Sequence, residues 1–266
     1  MYHFVLPPDG LNHRQVDELF RPQAEHFLRR GYQVSLVPDS AFQDGSTLRQ
    51  IPQGATVIYR GWMVRPDEYT RFETAVSNAG ATLLTNSNAY VLTHHLPNWY
   101  SVLSEFTPET ISIRSADDLK ARLEKLDWEA YFLKDFVKSL KVGGGSIVRT
   151  NEEADRWVSE MLNYRDELEG GICIRRVESY MTDSECRFFV LNGVPYAPDD
   201  RSIPTPVAIA AQRIASPFFT VDIAYTTTGL CRIVELGDGQ VSDLVGWTAT
   251  RFAEIWPTDA HPASET

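Results

Sequence analysis

The chain has 266 residues, of which 43% are hydrophobic, and a formal net charge of −11 at pH 7. It can therefore bury a substantial core in two or three lobes, while its acidity argues against a main role in binding nucleic acid, which depends on clustered Lys and Arg. No run reaches the roughly 18 apolar positions of a membrane span and the start lacks a signal-peptide pattern, so we expect a cytoplasmic protein without membrane partners.

In chain order, the first third alternates strands with helices. Short apolar runs predict strands at residues 2–6, 33–37, 56–59 and 82–84. Between them, helices are predicted where apolar residues recur at helical spacing from Val16 to Leu28, and over residues 67–78 after Pro66. This order indicates a small parallel α/β unit, and we expect the first domain to cover residues 1–110.

The rest of the chain indicates an α+β arrangement, because its strands pair as hairpins. Strands are predicted at residues 131–137, 147–148, 172–177 and 186–191. Helices are predicted at 98–106, after a capping-box-like Ser115, from Asn151 onward, at 207–215 and through Trp247 to Trp256. We expect a central lobe over residues 111–180, a C-terminal lobe over 181–257 and a flexible tail over 258–266.

Three cysteines, Cys173, Cys186 and Cys231, lie in apolar, strand-like runs without Cys-x-x-Cys spacing. This odd number and spacing favour buried, reduced thiols over disulfides, a zinc site or a nucleophile.

Two acidic residues, Asp222 and Glu235, lie thirteen positions apart on the predicted arms of one β-hairpin. If residues 228–229 form the turn, the acids lie opposite each other, and if the loop covers 226–229, they are diagonal neighbours on one face. Their Cβ atoms then lie within roughly 5–8 Å, and like charges this close need a positive partner. A divalent metal with hard oxygen ligands, such as Mg²⁺, meets that need. A solvated acidic face is the alternative, and a three-residue loop would place the acids on opposite faces.

Lys134 interrupts an apolar strand, and a buried ammonium group needs a fixed anion. A triglycine begins nine residues later, and glycines let backbone N–H groups approach phosphate oxygens closely. The alternatives are a plain hairpin turn and a lysine that reaches solvent. The candidate phosphate-binding residues are Lys134, Lys138, Lys141, Gly143, Gly144, Gly145 and Ser146.

Glu178 ends one apolar strand and Glu185 opens the next, and the connector between them contains Tyr180 and Met181. A connector between two lobes can offer backbone N–H and C=O groups to an adenine edge, while a carboxylate at its end can accept both ribose hydroxyls. The alternative is that both acids are ordinary loop residues.

Taken in this order, these elements resemble the ATP-grasp superfamily, which carries a strand lysine, a glycine-rich loop, a Glu-x6-Glu hinge and a final Asp and Glu-x-Asn for magnesium. The intervals from Asp222 to Glu235 and from Glu178 to Glu185, thirteen and seven residues, match spacings common in the superfamily. The Gly-Asp-Gly-Gln sequence that follows Leu236 is similar to a small bacterial and phage clade. The resemblance implies an ATP-grasp fold, in which a Rossmann-like domain precedes two α+β lobes that hold ATP and Mg²⁺.

Two positions depart from the superfamily pattern. Gly237 stands where the metal-binding Asn is usual, so Asp238 is taken as the third metal ligand beside Asp222 and Glu235. The helix that usually brings a second phosphate lysine has His94 and His95 instead. Either histidine, or one of the loop lysines, is a candidate substitute, and a purely structural histidine pair is the alternative.

The resemblance implies an ATP-dependent ligase that joins a carboxylate to an amine through an acylphosphate and releases ADP and phosphate. Its expected partners are small-molecule or peptide carboxylate and amine substrates. Guanidinium groups match planar anions, so the catalytic candidates are Arg187, Arg201 and Arg213. A phosphotransferase on the same fold and a non-catalytic ATP-binding protein are the alternatives.

Overall fold

The structure is a computed structural model and describes residues 1–46, 48, 50–137, 145–165 and 168–258. Its strands form three four-stranded sheets. The first is parallel, in the order β2-β1-β3-β4, and its strands are β1 (Tyr2–Leu6), β2 (Gln33–Leu36), β3 (Thr56–Tyr59) and β4 (Thr82–Leu83). The connecting helices are α1 (Arg21–Arg29), α2 (Ser40–Gln43) and α3 (Pro66–Asn78). The predicted parallel α/β unit is therefore present.

Two short helices lead from this unit to the next sheet. Helix α4 (Ser87–His94) begins after Asn86, whose side chain accepts a hydrogen bond from the backbone N–H of Ala89. His95 has an extended backbone and separates α4 from α5 (Leu96–Leu103), which continues as a 3₁₀ turn (Ser104–Phe106). The sequence pattern predicts one helix in this region where the structure has two.

The second sheet is antiparallel, in the order β5-β8-β6-β7. It consists of β5 (Thr110–Ile113), β6 (Tyr131–Asp135), β7 (Ile147–Val148) and β8 (Ile172–Arg176), with α6 (Leu119–Leu123), preceded by a 3₁₀ turn (Ala116–Asp118), and α7 (Asn151–Arg165). One face of the sheet, with Leu133 and Ile174, packs against Trp157 of α7. Because side chains alternate along a strand, Lys134 and Arg175 lie on the opposite face.

The third sheet is also antiparallel, in the order β10-β9-β11-β12. Its strands are β9 (Cys186–Leu191), β10 (Val194–Tyr196), β11 (Phe218–Tyr225) and β12 (Cys231–Asp238), and the last helices are α8 (Thr205–Arg213) and α9 (Ala249–Glu254). Val221 and Ile223 of β11 belong to a core that also contains Trp99 of α5 and Val207 of α8. The other face of β11 carries the charged row described below.

The cysteines agree with the sequence-based expectation. All three are free thiols, Cys173 is buried, and Cys186 and Cys231 are half-buried. Burial raises the pKa of each thiol, which opposes thiolate formation.

Candidate active site

Four charged side chains from four strands form one row. On the third sheet, Asp222 of β11 pairs in register with Arg187 of β9 on one side and with Glu235 of β12 on the other. Arg187 donates from Nε and Nη2 to the two oxygens of Asp222, at 2.8 and 2.6 Å. Lys134 reaches across from β6 of the second sheet, and its Nζ lies 2.9 Å from Oε1 of Glu235. The row joins the second and third sheets and balances two negative charges with two positive ones.

A β-bulge brings the two acids face to face. Near the turn, Tyr225 pairs with Cys231 and Ile223 with Ile233, a register that would place Val234 opposite Asp222. The loop is therefore odd in length, the case that was expected from the sequence to separate the acids. One extra residue, Val234, shifts the register between Ile223 and Asp222, so that Glu235 lies opposite Asp222.

The two acids differ in their electrostatic surroundings. Burial raises the pKa of Asp222, Arg187 opposes this rise, and the nearby charge of Glu235 adds to it. Burial also acts to raise the pKa of Glu235, but Lys134 and two arginines outweigh it and lower the pKa overall. The Glu235 side chain is surrounded by protein yet 41% exposed, as expected for a side chain in the wall of a cleft. Glu235 is therefore ionised and accessible.

The acidic pair fits Mg²⁺ better than a metal held by protein alone. Within the described ranges, no group of three or more His, Cys, Asp or Glu is placed to hold a metal ion. Mg²⁺ usually keeps several waters and binds one or two carboxylates together with substrate phosphates, so two adjacent carboxylates suffice. In such a complex the phosphates would offer Lys134 and Arg187 alternative anionic partners.

Asp238 does not join this pair. It lies three positions after Glu235 in a regular part of β12 and therefore projects from the opposite face. Its side chain is fully buried, and Gln240 donates to its Oδ1 from the backbone N, at 3.0 Å, and from Nε2, at 3.2 Å. Burial raises the pKa of Asp238 to about 7. This placement does not support the predicted third metal ligand, and strand alternation was the sequence signal against it.

Glu178 has two partners that the sequence pattern did not indicate. Arg232 of β12 donates to its carboxylate from Nε and Nη2, at 3.0 and 2.8 Å, and the Tyr180 hydroxyl donates at 3.0 Å. The connector itself pairs with the end of the hairpin, because Met181 N–H donates to Tyr225 O at 2.8 Å. In this antiparallel pairing the N–H and C=O of Tyr180 point away from the hairpin. They form a free-facing backbone edge at the junction of the two sheets.

The remaining nucleotide candidates lie at the ends of this region. Glu185 is exposed and close enough to Asp222 to act on its pKa. Gly145 has φ +76°, a conformation that favours glycine. Ser146 is buried, and its carbonyl accepts from Leu133 N at 2.7 Å. The predicted residues Lys138, Lys141, Gly143 and Gly144 lie outside the described residues.

Of the three arginine candidates, only Arg187 lies in the charged row. Arg201 donates from Nε and Nη2 to Asp199, at 2.7 and 2.6 Å, and its Nη1 lies 2.8 Å from Sγ of Cys186. Arg213 pairs with Glu105 at 2.5 Å. Both side chains are nearly half-exposed and neither contacts the acidic pair, so their contacts do not support the predicted catalytic role.

The histidine pair is associated with a different carboxylate. His95 Nε2 lies 3.1 Å from Oε1 of Glu169, and His94 Nε2 lies 4.0 Å from the same atom. His94 also stacks on Tyr90, with ring centroids 4.7 Å apart. Leu96 N–H, next to His95, donates to the carbonyl of Phe136 just before the glycine-rich segment. The pair thus borders that segment without contacting the charged row.

Comparison with known proteins identifies the family. The chain belongs to the ATP-grasp superfamily, since a family described as an ATP-grasp domain, family 3 of its clade, matches residues 109–257. The predicted ATP-grasp fold is therefore confirmed. No curated protein matches the sequence. Within the described part of the chain, no helix has the length and apolar character needed to cross a membrane.

Solved structures share the whole fold. D-cycloserine synthetase DcsG aligns with a TM-score of 0.64 and 16% identity, over 95% of this chain and 97% of that one. The macrocyclase MdnC from Microcystis aeruginosa, bound with the precursor peptide MdnA, aligns with a TM-score of 0.61 and 11% identity, over 96% and 99%. The ATP-grasp ligase PsnB, complexed with a minimal precursor, Mg and ADP, aligns with a TM-score of 0.59 and 10% identity, over 96% of each chain. Identities this low relate the folds alone.

Proposed function

We propose that this protein is an ATP-dependent ligase that joins a carboxylate to an amine through an acylphosphate intermediate. The observation that carries the proposal is the row of Arg187, Asp222, Glu235 and Lys134 at the junction of the second and third sheets. Phosphoryl transfer depends mainly on positioning and on neutralising phosphate charge. The row supplies two carboxylates for Mg²⁺ and two cations for phosphates at one place.

The nucleotide would lie between these two sheets. Asp222 and Glu235 would hold Mg²⁺, which neutralises phosphate charge when bound. Lys134 would contact the phosphates, together with the glycine-rich segment that ends at Gly145 and Ser146. The backbone edge of Tyr180 and Met181 would face adenine, and Glu178 and Glu185 would accept hydrogen bonds from the ribose hydroxyls.

The chemistry has two steps. An oxygen of the substrate carboxylate attacks the γ-phosphorus of ATP, and ADP leaves. The amine nitrogen then attacks the acyl carbon, phosphate leaves, and the nitrogen loses a proton. Arg187 is suited to the carboxylate or the acylphosphate, because its planar fork already binds both oxygens of Asp222.

The test is release of ADP and phosphate with a panel of amino acids, small carboxylates and peptides. The panel includes peptides because MdnC was solved with a peptide, and small molecules because DcsG is named for a small product. Phosphate release that requires an amine supports the ligase. A stable phosphorylated product would instead identify a phosphotransferase, and tight binding of Mg-ATP without turnover a binding protein.

Variants test the residues. Lys134→Ala and Asp222→Asn should each weaken Mg-ATP binding at least tenfold, about 1.4 kcal/mol. Lys120→Ala changes an exposed lysine of α6 and should leave binding unchanged. If both site variants bind Mg-ATP as tightly as the wild type, the assignment is wrong.

A further inference from the structure

Arg175 is a buried arginine that the proposed chemistry does not use. It lies in β8, the inner strand between β5 and β6, and is 6% exposed. Its Nη1 donates to the carbonyl of Val234 at 2.6 Å, and its Nε donates to Oγ1 of Thr110 at 3.3 Å. No ion pair of Arg175 is found among the described residues. Its charge therefore lacks direct neutralisation by a carboxylate.

A buried guanidinium without a carboxylate partner is expensive. The cost of removing such an ion from water amounts to several kcal/mol, and Nη2 of Arg175 is buried without a hydrogen-bond partner. Burial accordingly lowers the pKa of Arg175, with the charge of Glu235 opposing the change. A Leu or Met at this position would fill the space without that cost, so the guanidinium needs another reason to be there.

The carbonyl that Arg175 binds is that of the bulge residue itself. Val234 is the extra residue of β12, the one that lets Glu235 rather than Val234 lie opposite Asp222. A bulge disrupts the ladder locally and leaves the extra residue unpaired. Arg175 binds that carbonyl from a different sheet and so fixes the bulge at this position.

We infer that Arg175 is a positioning residue for the metal-binding pair: by holding the bulge at Val234, it keeps Glu235 opposite Asp222. The inference rests on the proposed function, in which these two carboxylates hold Mg²⁺. Without this hydrogen bond the bulge can move along β12, and a shift past Glu235 would turn its side chain to the other face of the sheet.

The test measures the Mg²⁺ coupling factor, defined as the ratio of the ATP dissociation constants without and with saturating Mg²⁺. It is obtained by calorimetry on the full chain. Arg175→Met keeps the apolar stem and removes the donors, and should reduce the coupling factor at least tenfold. Arg175→Lys keeps the charge and one flexible donor, and should give an intermediate value. The control is Arg176→Met, because Arg176 is the next residue of β8 and its side chain is 57% exposed.

A second variant removes the need for Arg175. Deleting Val234 removes the bulge and leaves a regular ladder in which Glu235 still faces Asp222. In that background Arg175→Met should leave the coupling factor unchanged. A purely structural role for Arg175 would not be relieved by this deletion.

The outcomes separate this inference from the proposed function. A normal coupling factor in Asp222→Asn would contradict the metal pair and the inference with it. A reduced factor in Asp222→Asn, together with a factor for Arg175→Met within twofold of the wild type, would overturn the inference alone. If Arg175→Met does not fold, Arg175→Lys decides, since an intermediate factor supports the inference and a wild-type factor overturns it.

Discussion

Replacing Arg187 should destabilise the protein through the buried carboxylate that it leaves behind. Arg187→Met keeps much of the apolar stem and removes both donors to Asp222, whose side chain is 4% exposed. Removing one partner of a buried ion pair typically costs about 3–5 kcal/mol, because the remaining charge is uncompensated. Since Arg187 is itself 16% exposed, we expect the lower end, about 3 kcal/mol, in the free energy of unfolding at pH 7.5.

Neutralising the carboxylate should recover most of this loss. In the double variant Arg187→Met/Asp222→Asn no uncompensated charge remains, so it should be at least about 1.5 kcal/mol more stable than Arg187→Met. Urea unfolding followed by tryptophan fluorescence measures both differences. Arg213→Met is the control, because the pair of Arg213 with Glu105 is about half-exposed and such surface pairs contribute at most about 1 kcal/mol.

The same variant has a signed pH dependence. Burial already raises the pKa of Asp222, and loss of Arg187 raises it further. The folded state then holds a proton that the unfolded state releases, so the stability of Arg187→Met should fall as the pH rises above the ordinary value of 3.8. A stability of Arg187→Met within about 0.5 kcal/mol of the wild type at pH 7.5 would refute this explanation. A double variant no more stable than the single one would refute it equally.

Three further predictions concern other sites. The pKa of Asp238 is raised from 3.8 to about 7, so wild-type stability should fall as the pH rises from 4 through 7, and Asp238→Asn should remove that part of the slope in urea unfolding; an unchanged slope would contradict the burial argument. Glu178→Gln should weaken ATP binding about tenfold yet leave inorganic tripolyphosphate binding unchanged, since Glu178 is proposed to act on ribose; calorimetry with both ligands checks this, and equal losses would exclude that role. Gly171→Ala should destabilise by more than about 3 kcal/mol, because a Cβ would lie 2.2 Å from the Ile113 carbonyl at a φ of +137°, and a normal melting temperature would contradict this.

Much of the fold could be predicted because local patterns carry it. The strands Tyr2–Leu6, Thr56–Tyr59, Ile147–Val148 and Cys186–Leu191 have the predicted bounds, since each is a short apolar run that ends at turn residues. Helix α4 and strand β5 were not predicted as separate elements. Helix α4 shows little apolar periodicity, and β5 is only four residues long, so tertiary packing determines both.

The candidate site was only partly predictable for a related reason. The pairing of Asp222 with Glu235 follows from their spacing on a hairpin, but the bulge that produces it is a single extra residue and leaves no periodic signal. Arg175 and Arg232 were missed because their partners, Val234 and Glu178, are 59 and 54 positions away in sequence. Such contacts depend on how two sheets meet, which a sequence pattern does not encode.

The most direct test of the central claim is a crystal structure with Mg²⁺ and a non-hydrolysable ATP analogue. We expect Mg²⁺ liganded by Asp222 and Glu235, with Lys134 on the phosphates and adenine against the backbone edge of Tyr180. A nucleotide bound elsewhere, with Arg187 still on Asp222 and Lys134 still on Glu235, would contradict the claim.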